Sequence, residues 1–236
     1  VKEKGSSTQR SDRIFFSLSG LWFVVLTFVG FSPTFYLRAF PEPLPAHLVV
    51  HGIVNSAWVV LYLVQALLIS THHRRWHIAL GGASVVLLIL ILPVGFHVVL
   101  VKVAAGLKTV DEAGFNLTGL TLACAFAGAG LAYRNRPFVH KRLMLFATLV
   151  LTVAAADRVS VVLGLEEVRI FRKLLAVAPA VALVGYDLVS LRRIPVFSLS
   201  LLALVWLFVW FVITDLVFLH PSGEALIRAL MKVFVW

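Results

Sequence analysis

Seven stretches of this chain are apolar for long enough to cross a lipid bilayer. They cover residues 14–37, 48–70, 77–100, 115–133, 138–163, 171–191 and 196–219. A hydrocarbon core of roughly 30 Å takes about 20 helical residues. Lipid offers backbone N–H and C=O groups no partner, so runs of this kind must satisfy their own hydrogen bonds as helices. The sequence therefore predicts an all-α fold. It would be a polytopic helical membrane bundle of about seven transmembrane helices, folded as a single integral membrane domain over residues 1–236. Only 14% of residues are charged, against about 25% in a soluble domain, so most of the surface is expected to face lipid. The single cysteine, Cys124, excludes an intrachain disulfide.

Connections between the stretches are short, without Gly/Ser linkers or an evident repeat. Residues 222–236 alternate charged and apolar side chains (Glu224, Leu226, Arg228, Leu230, Lys232, Phe234), the pattern of an interfacial amphipathic helix rather than an eighth span. The first stretch is too long for a cleavable signal, and no small-residue cleavage site follows it.

The net charge of +10 invites a nucleic-acid reading, but the cations fall in loops between apolar spans, where they meet anionic lipid headgroups and set topology. No nucleic acid is expected as a partner. Twelve Lys and Arg residues lie on the side of the N-terminus, Arg74, Arg75, Arg134, Arg136, Lys141, Arg142, Arg192 and Arg193 among them, and nine on the other. The excess sits in the shortest loops, where the positive-inside rule is strongest. The expected placement is the bacterial inner (cytoplasmic) membrane, with the N-terminus cytoplasmic and the C-terminus periplasmic.

Polar groups inside a span usually face the bundle interior or a cavity. In the second span His51, Asn55, Trp58, Tyr62 and Gln65 recur at helical spacing, within roughly 40° of one another around the axis. They form one stripe, readable as interhelical hydrogen bonding or as the lining of an outward pocket that also takes His97 and Arg158. In the third span His77, Gly81, Ser84 and Gly95 share a face. Those small residues allow close packing, and equally leave room for a flat macrocycle. Arg158 lies five turns beyond His140 on the same face, and a structural ion pair or a reach toward the interface would satisfy it.

The eight histidines sort by topology. His47, His51, His97 and His220 fall toward the outer face; His72, His73, His77 and His140 fall toward the cytoplasm. The spacings His47-x-x-x-His51 and His73-x-x-x-His77 look like di-iron hydroxylase boxes, but they stand at opposite ends of one span and cannot converge. A membrane zinc hydrolase would gather His51, His97 and His220 around an activated water, with Ser56 nearby. A bis-histidine b-type haem would take one imidazole from each of two helices at similar depth. His77 and His140 open the third and fifth spans at the same boundary. Arg74, Arg75, Arg136 and Arg142, with Lys141, would then meet the haem propionates. The plain alternative is a pair of interfacial histidines beside basic loops.

The segments His51-Gly52, Trp58 and Gln65, His77-Ile78-Ala79-Leu80-Gly81, and Pro137-x-x-His140-Lys141-Arg142-Leu143-Met144 with Arg158 resemble an uncharacterised family of bacterial multi-pass membrane proteins. Pro33-Thr34-Phe35-Tyr36-Leu37-Arg38 joins them, so the likeness covers most of the first five spans. It extends distantly to the ascorbate-reducible transmembrane cytochromes b, which hold haem within a four-helix inner core. The resemblance implies an inner core of the second to fifth spans, His77 and His140 as axial ligands and haem b as cofactor; the function expected on this reading is electron transport within the membrane, with a quinone as partner. It implies one haem and not two, because the fourth span contains no histidine. The readings that stand beside it are a non-enzymatic subunit bound to other membrane subunits, or a small-solute carrier, and the zinc hydrolase third.

Overall fold

Helix satisfies the backbone throughout the computed structural model, which describes residues 2–38, 43–191, 194–218 and 220–235. The order is α1 (Lys2–Phe31), α2 (Ala46–Ser70), α3 (Arg74–Ala104), α4 (Val110–Ala132), α5 (Pro137–Leu151), α6 (Val153–Val162), α7 (Arg169–Tyr186), α8 (Ile194–Phe218) and α9 (Pro221–Phe234). Short π-helical turns, Ser32–Tyr36 and Asp187–Leu191, extend α1 and α7. Among the described residues four helices are long and apolar enough to cross a membrane: α1 through its π turn, α2, α3 and α4. The pair α5 and α6 is a fifth if the two count as one span. The chain is a helical membrane protein. Arg192 and Arg193, which enter the charge comparison above, lie outside the described residues.

The stretch 138–163 reads as one helix, yet the chain turns by 47° between α5 and α6. No proline stands at the break. Thr152 donates its hydroxyl back to the carbonyls of Thr148 and Leu149, both at 3.0 Å, while its backbone N–H is shared between the same two carbonyls. Such back-bonding loosens the local ladder and bends helices.

Helix ends follow local chemistry. Thr109 and Glu112 form a reciprocal capping box at the start of α4, satisfying two N–H groups that the helix leaves open. His72 closes α2 with a positive φ of 66°, a conformation histidine adopts more readily than most residues. Its side chain is held there, since Arg13 Nη1 donates to His72 Nε2 at 2.7 Å.

The centre of the bundle is α5, buried almost continuously from Arg142 to Val150. Around it pack Phe16 and Phe23 of α1, Trp58 and Tyr62 of α2, Ala123 and Ala127 of α4, Leu183 of α7 and Leu207 of α8. By contrast, the N-terminal half of α3 is exposed on most sides, and His77, Gly81, Ser84, Leu87 and Leu88 are its more covered positions. One end of the bundle carries Asp12, His72, His77, His140 and Tyr186; there Asp12 joins Lys141 to Tyr186 and Arg13 holds His72. The other carries Thr34, His47, His97, Lys102 and Arg158. There α9 lays Ile227 against Leu100, Ala113 and Phe218, so the amphipathic tail caps this end.

Candidate functional site

His77 enters from the first turn of α3 and His140 from the first turn of α5, and their ring centres lie 6.2 Å apart with planes at 86°. The turn through Thr71–His73 sets the first, and Pro137 at the start of α5 sets the second. Each ring is held by its Nδ1. His140 Nδ1–H donates to the carbonyl of Gly130 at 2.7 Å, and His77 Nδ1–H to the carbonyl of Gln65 at a longer 3.4 Å. A carbonyl only accepts, so these bonds put the proton on Nδ1 and leave the lone pair on Nε2. Among the described residues Nε2 of neither ring has a hydrogen-bond partner. Metal-ligating histidines are oriented in the same way, through a backbone carbonyl on the far nitrogen.

Between the two rings and α2 opens a cavity of about 700 Å³, within the range of roughly 300–1,000 Å³ that cofactor sites occupy. Gly81 and Gly82 of α3 line it, and a Cβ on either would meet nothing within 4 Å. Gly95 on the same helix serves packing instead, since a Cβ there would come within 2.6 Å of Leu120. Trp58, Tyr62 and Phe16 close the inner wall. Gln65 Oε1, buried at the wall, has no hydrogen-bond partner among the described residues. Arg13, Arg74, Arg134 and Lys141 set positive charge at the rim, against one acid, Asp12, which pairs with Lys141 at 2.5 Å.

These residues fit a haem. His77 and His140, with their Nε2 lone pairs open, would hold the iron, which would supply one-electron redox chemistry. Of the residues expected at the propionates, Arg74 lines the cavity. Arg75 lies beside Trp76 and Arg136 beside Tyr133, neither in its wall. Arg142 does not line the cavity: it is fully buried, and its guanidinium is committed to Asp187 and to the carbonyl of Phe138. Arg13 does line the cavity. Its salience in sequence was low because its neighbour across the site, His72, is 59 positions away.

The polar stripe of α2 does not serve a single pocket. Trp58, Tyr62 and Gln65 face the His77 cavity, whereas His51 and Asn55 face a second one of about 660 Å³ at the other end, beside Arg158. Trp58 marks the divide, its indole N–H donating to Thr148 Oγ1 at 3.1 Å. His97 lines neither. It packs against His47 at 5.5 Å and donates from Nδ1 to the carbonyl of Phe234 at 2.7 Å, which anchors α9. His220 caps α9 by accepting from the backbone N–H of Ser222. Among the described residues no group of three or more His, Cys, Asp or Glu side chains is placed to hold a metal ion, so the trio His51, His97 and His220 is not assembled. Arg158 lines the second cavity and not that of His140; it lies over Phe31 at 4.7 Å and donates to Thr34 Oγ1 at 3.4 Å. No family model, curated protein or solved structure matches the chain.

Proposed function

We propose that this chain is a membrane haem protein that carries electrons within the bilayer, with His77 and His140 as the axial ligands of one b-type haem. The observation that carries this reading is the facing pair itself. Two imidazoles from different helices stand with ring centres 6.2 Å apart, each with its Nδ1 proton committed to a backbone carbonyl and its Nε2 open. The haem supplies reversible one-electron chemistry at a potential set by ligands and surroundings. The chain's part is to orient the imidazoles, to offer Arg13, Arg74 and Arg134 to the carboxylates, and to keep the macrocycle's space clear at Gly81 and Gly82. Ile78 and Val85, both in the cavity wall and both exposed, border it on the lipid side. A lipid-soluble quinone is the electron partner that such an opening suits.

In this reading α7 and α8 complete seven spans, and α2 to α5 are the four helices that would enclose the haem. The His77 end is cytoplasmic and α9 lies at the periplasmic face of a bacterial inner membrane. This agrees with the resemblance to the transmembrane cytochromes b in its single-haem form.

Absorption spectra of detergent-purified protein, oxidised and dithionite-reduced, with a pyridine haemochrome assay, test the proposal. The expected result is a Soret band, a sharp reduced α-band and about one haem per chain. A flat spectrum from folded protein expressed with added haem would overturn it. A second reading, a small-solute carrier or a non-enzymatic subunit of a larger complex, is favoured by one observation. The stripe His51 to Gln65 links two cavities at opposite ends across one hydrogen-bonded layer.

A further inference from the structure

The second cavity is built for charge of the opposite sign to its own. Its mouth carries Lys102 from the end of α3 and Arg158 from α6, both half-buried. Lys108 and Arg172 stand there too, but each has an acid beside it, Glu112 at 3.9 Å and Asp157 at 4.0 Å. Lys102 and Arg158 have no ion-pair partner among the described residues. Both line the same cavity as His51. Glu166 also lines the cavity but is exposed and pairs with neither; two cations without an ion-pair partner at the edge of an apolar bundle are costly, and an anion held by both lowers the cost.

Deeper in, the wall turns apolar. Val59, Phe115 and Trp210 line it, with Phe115 stacked on Trp210 at 4.7 Å. A second, independent feature points inward. Thr27 is buried, lines the cavity, and its hydroxyl has no hydrogen-bond partner among the described residues. A buried hydroxyl left without a partner is destabilising, and a polar group on a ligand would satisfy it. A charged mouth over an apolar depth of this size suits a molecule with a head and a body, and a small inorganic anion would fill only the mouth.

We propose that this cavity binds an anionic amphiphile, a ligand with one carboxylate or phosphate group held by Lys102 and Arg158 and an apolar body lying toward Val59 and Trp210. The site is separate from the His77 cavity and does not depend on haem.

A brominated stearate, its methyl ester and inorganic phosphate are the probes, titrated against full-length protein in a neutral detergent with tryptophan fluorescence as the readout. The acid is expected to quench saturably and to bind about tenfold or more tightly than the ester, the scale of a charge-assisted contact. Trp210→Phe should remove much of the quenchable signal. Arg158→Gln and Lys102→Gln should each weaken the acid about tenfold, Arg158→Lys should retain it, and Arg75→Gln should leave it unchanged. Equal binding of acid and ester by the unaltered protein would overturn the proposal without any variant having to fold. Displacement by equimolar phosphate would overturn it in favour of a small-anion site.

Discussion

Arg142 and Asp187 form an ion pair in which neither side chain reaches solvent, α5 supplying the cation and the π turn after α7 the carboxylate. Arg142 Nε donates to Asp187 Oδ2 at 2.9 Å, and Ser200 of α8 donates to the same oxygen at 2.5 Å. Three helices thus meet on one carboxylate. Removing one member leaves the other charge buried and unpaired, which costs about 3–5 kcal/mol, whereas replacing both by apolar side chains of similar volume is often neutral. Asp187→Ala or Arg142→Met should therefore lower the unfolding midpoint in detergent sharply. Arg142→Met with Asp187→Leu should recover most of it, as read by thermal unfolding followed by size exclusion.

The axial pair makes a sharper set of expectations. His77→Ala and His140→Ala should each abolish the reduced α-band in purified protein. His97→Ala and His220→Ala should leave it intact, because the first anchors α9 through Phe234 and the second caps that helix. Loss of pigment in His220→Ala with full pigment in His140→Ala would reject the assignment. Spectra normalised to folded protein decide it.

Gly81 gives a test that separates binding from folding. A Cβ there meets nothing within 4 Å, and a glycine inside a helix costs about 1 kcal/mol relative to alanine. Gly81→Leu should hold or slightly raise thermal stability while filling the cavity and reducing haem content severalfold. Gly95→Leu should do the reverse, destabilising by collision with Leu120 without entering the cavity. Haem per chain and unfolding midpoint, measured together, distinguish the two.

The helices were legible because lipid forces their length and internal bonding, and the His77–His140 pair because helices two apart in an up-and-down bundle run parallel. What escaped the sequence depended on contacts between distant positions. The stripe of α2 has the right periodicity, but which neighbour covers which end divides it, and Thr148, 90 positions from Trp58, draws the line. Arg142 looks like a loop cation until Asp187, 45 positions on, is brought to it. A lone aspartate inside an apolar stretch was the available signal, since such a group requires a cation. The bend after Leu151 had only the Thr148 and Thr152 hydroxyls to announce it, and these bend some helices and not others.

Trp58 and Thr148 allow the divide between the cavities to be weighed. The Thr148 hydroxyl accepts from the indole N–H and donates to the carbonyl of Met144 at 2.9 Å. Trp58→Phe removes the indole but leaves that hydroxyl its carbonyl partner, so the cost in lost hydrogen bonding should be about 0.5–1.5 kcal/mol. Thr148→Val deletes the same bond and strands the buried N–H, which costs about 1–3 kcal/mol. The two deletions are thus unequal although they break one contact. Because the indole partner is already gone, Thr148→Val should cost less in the Trp58→Phe background than alone. Unfolding midpoints of the four proteins in the cycle measure the coupling, and a coupling of zero would mean that the indole N–H finds another partner and that the layer between the cavities is not set by this bond.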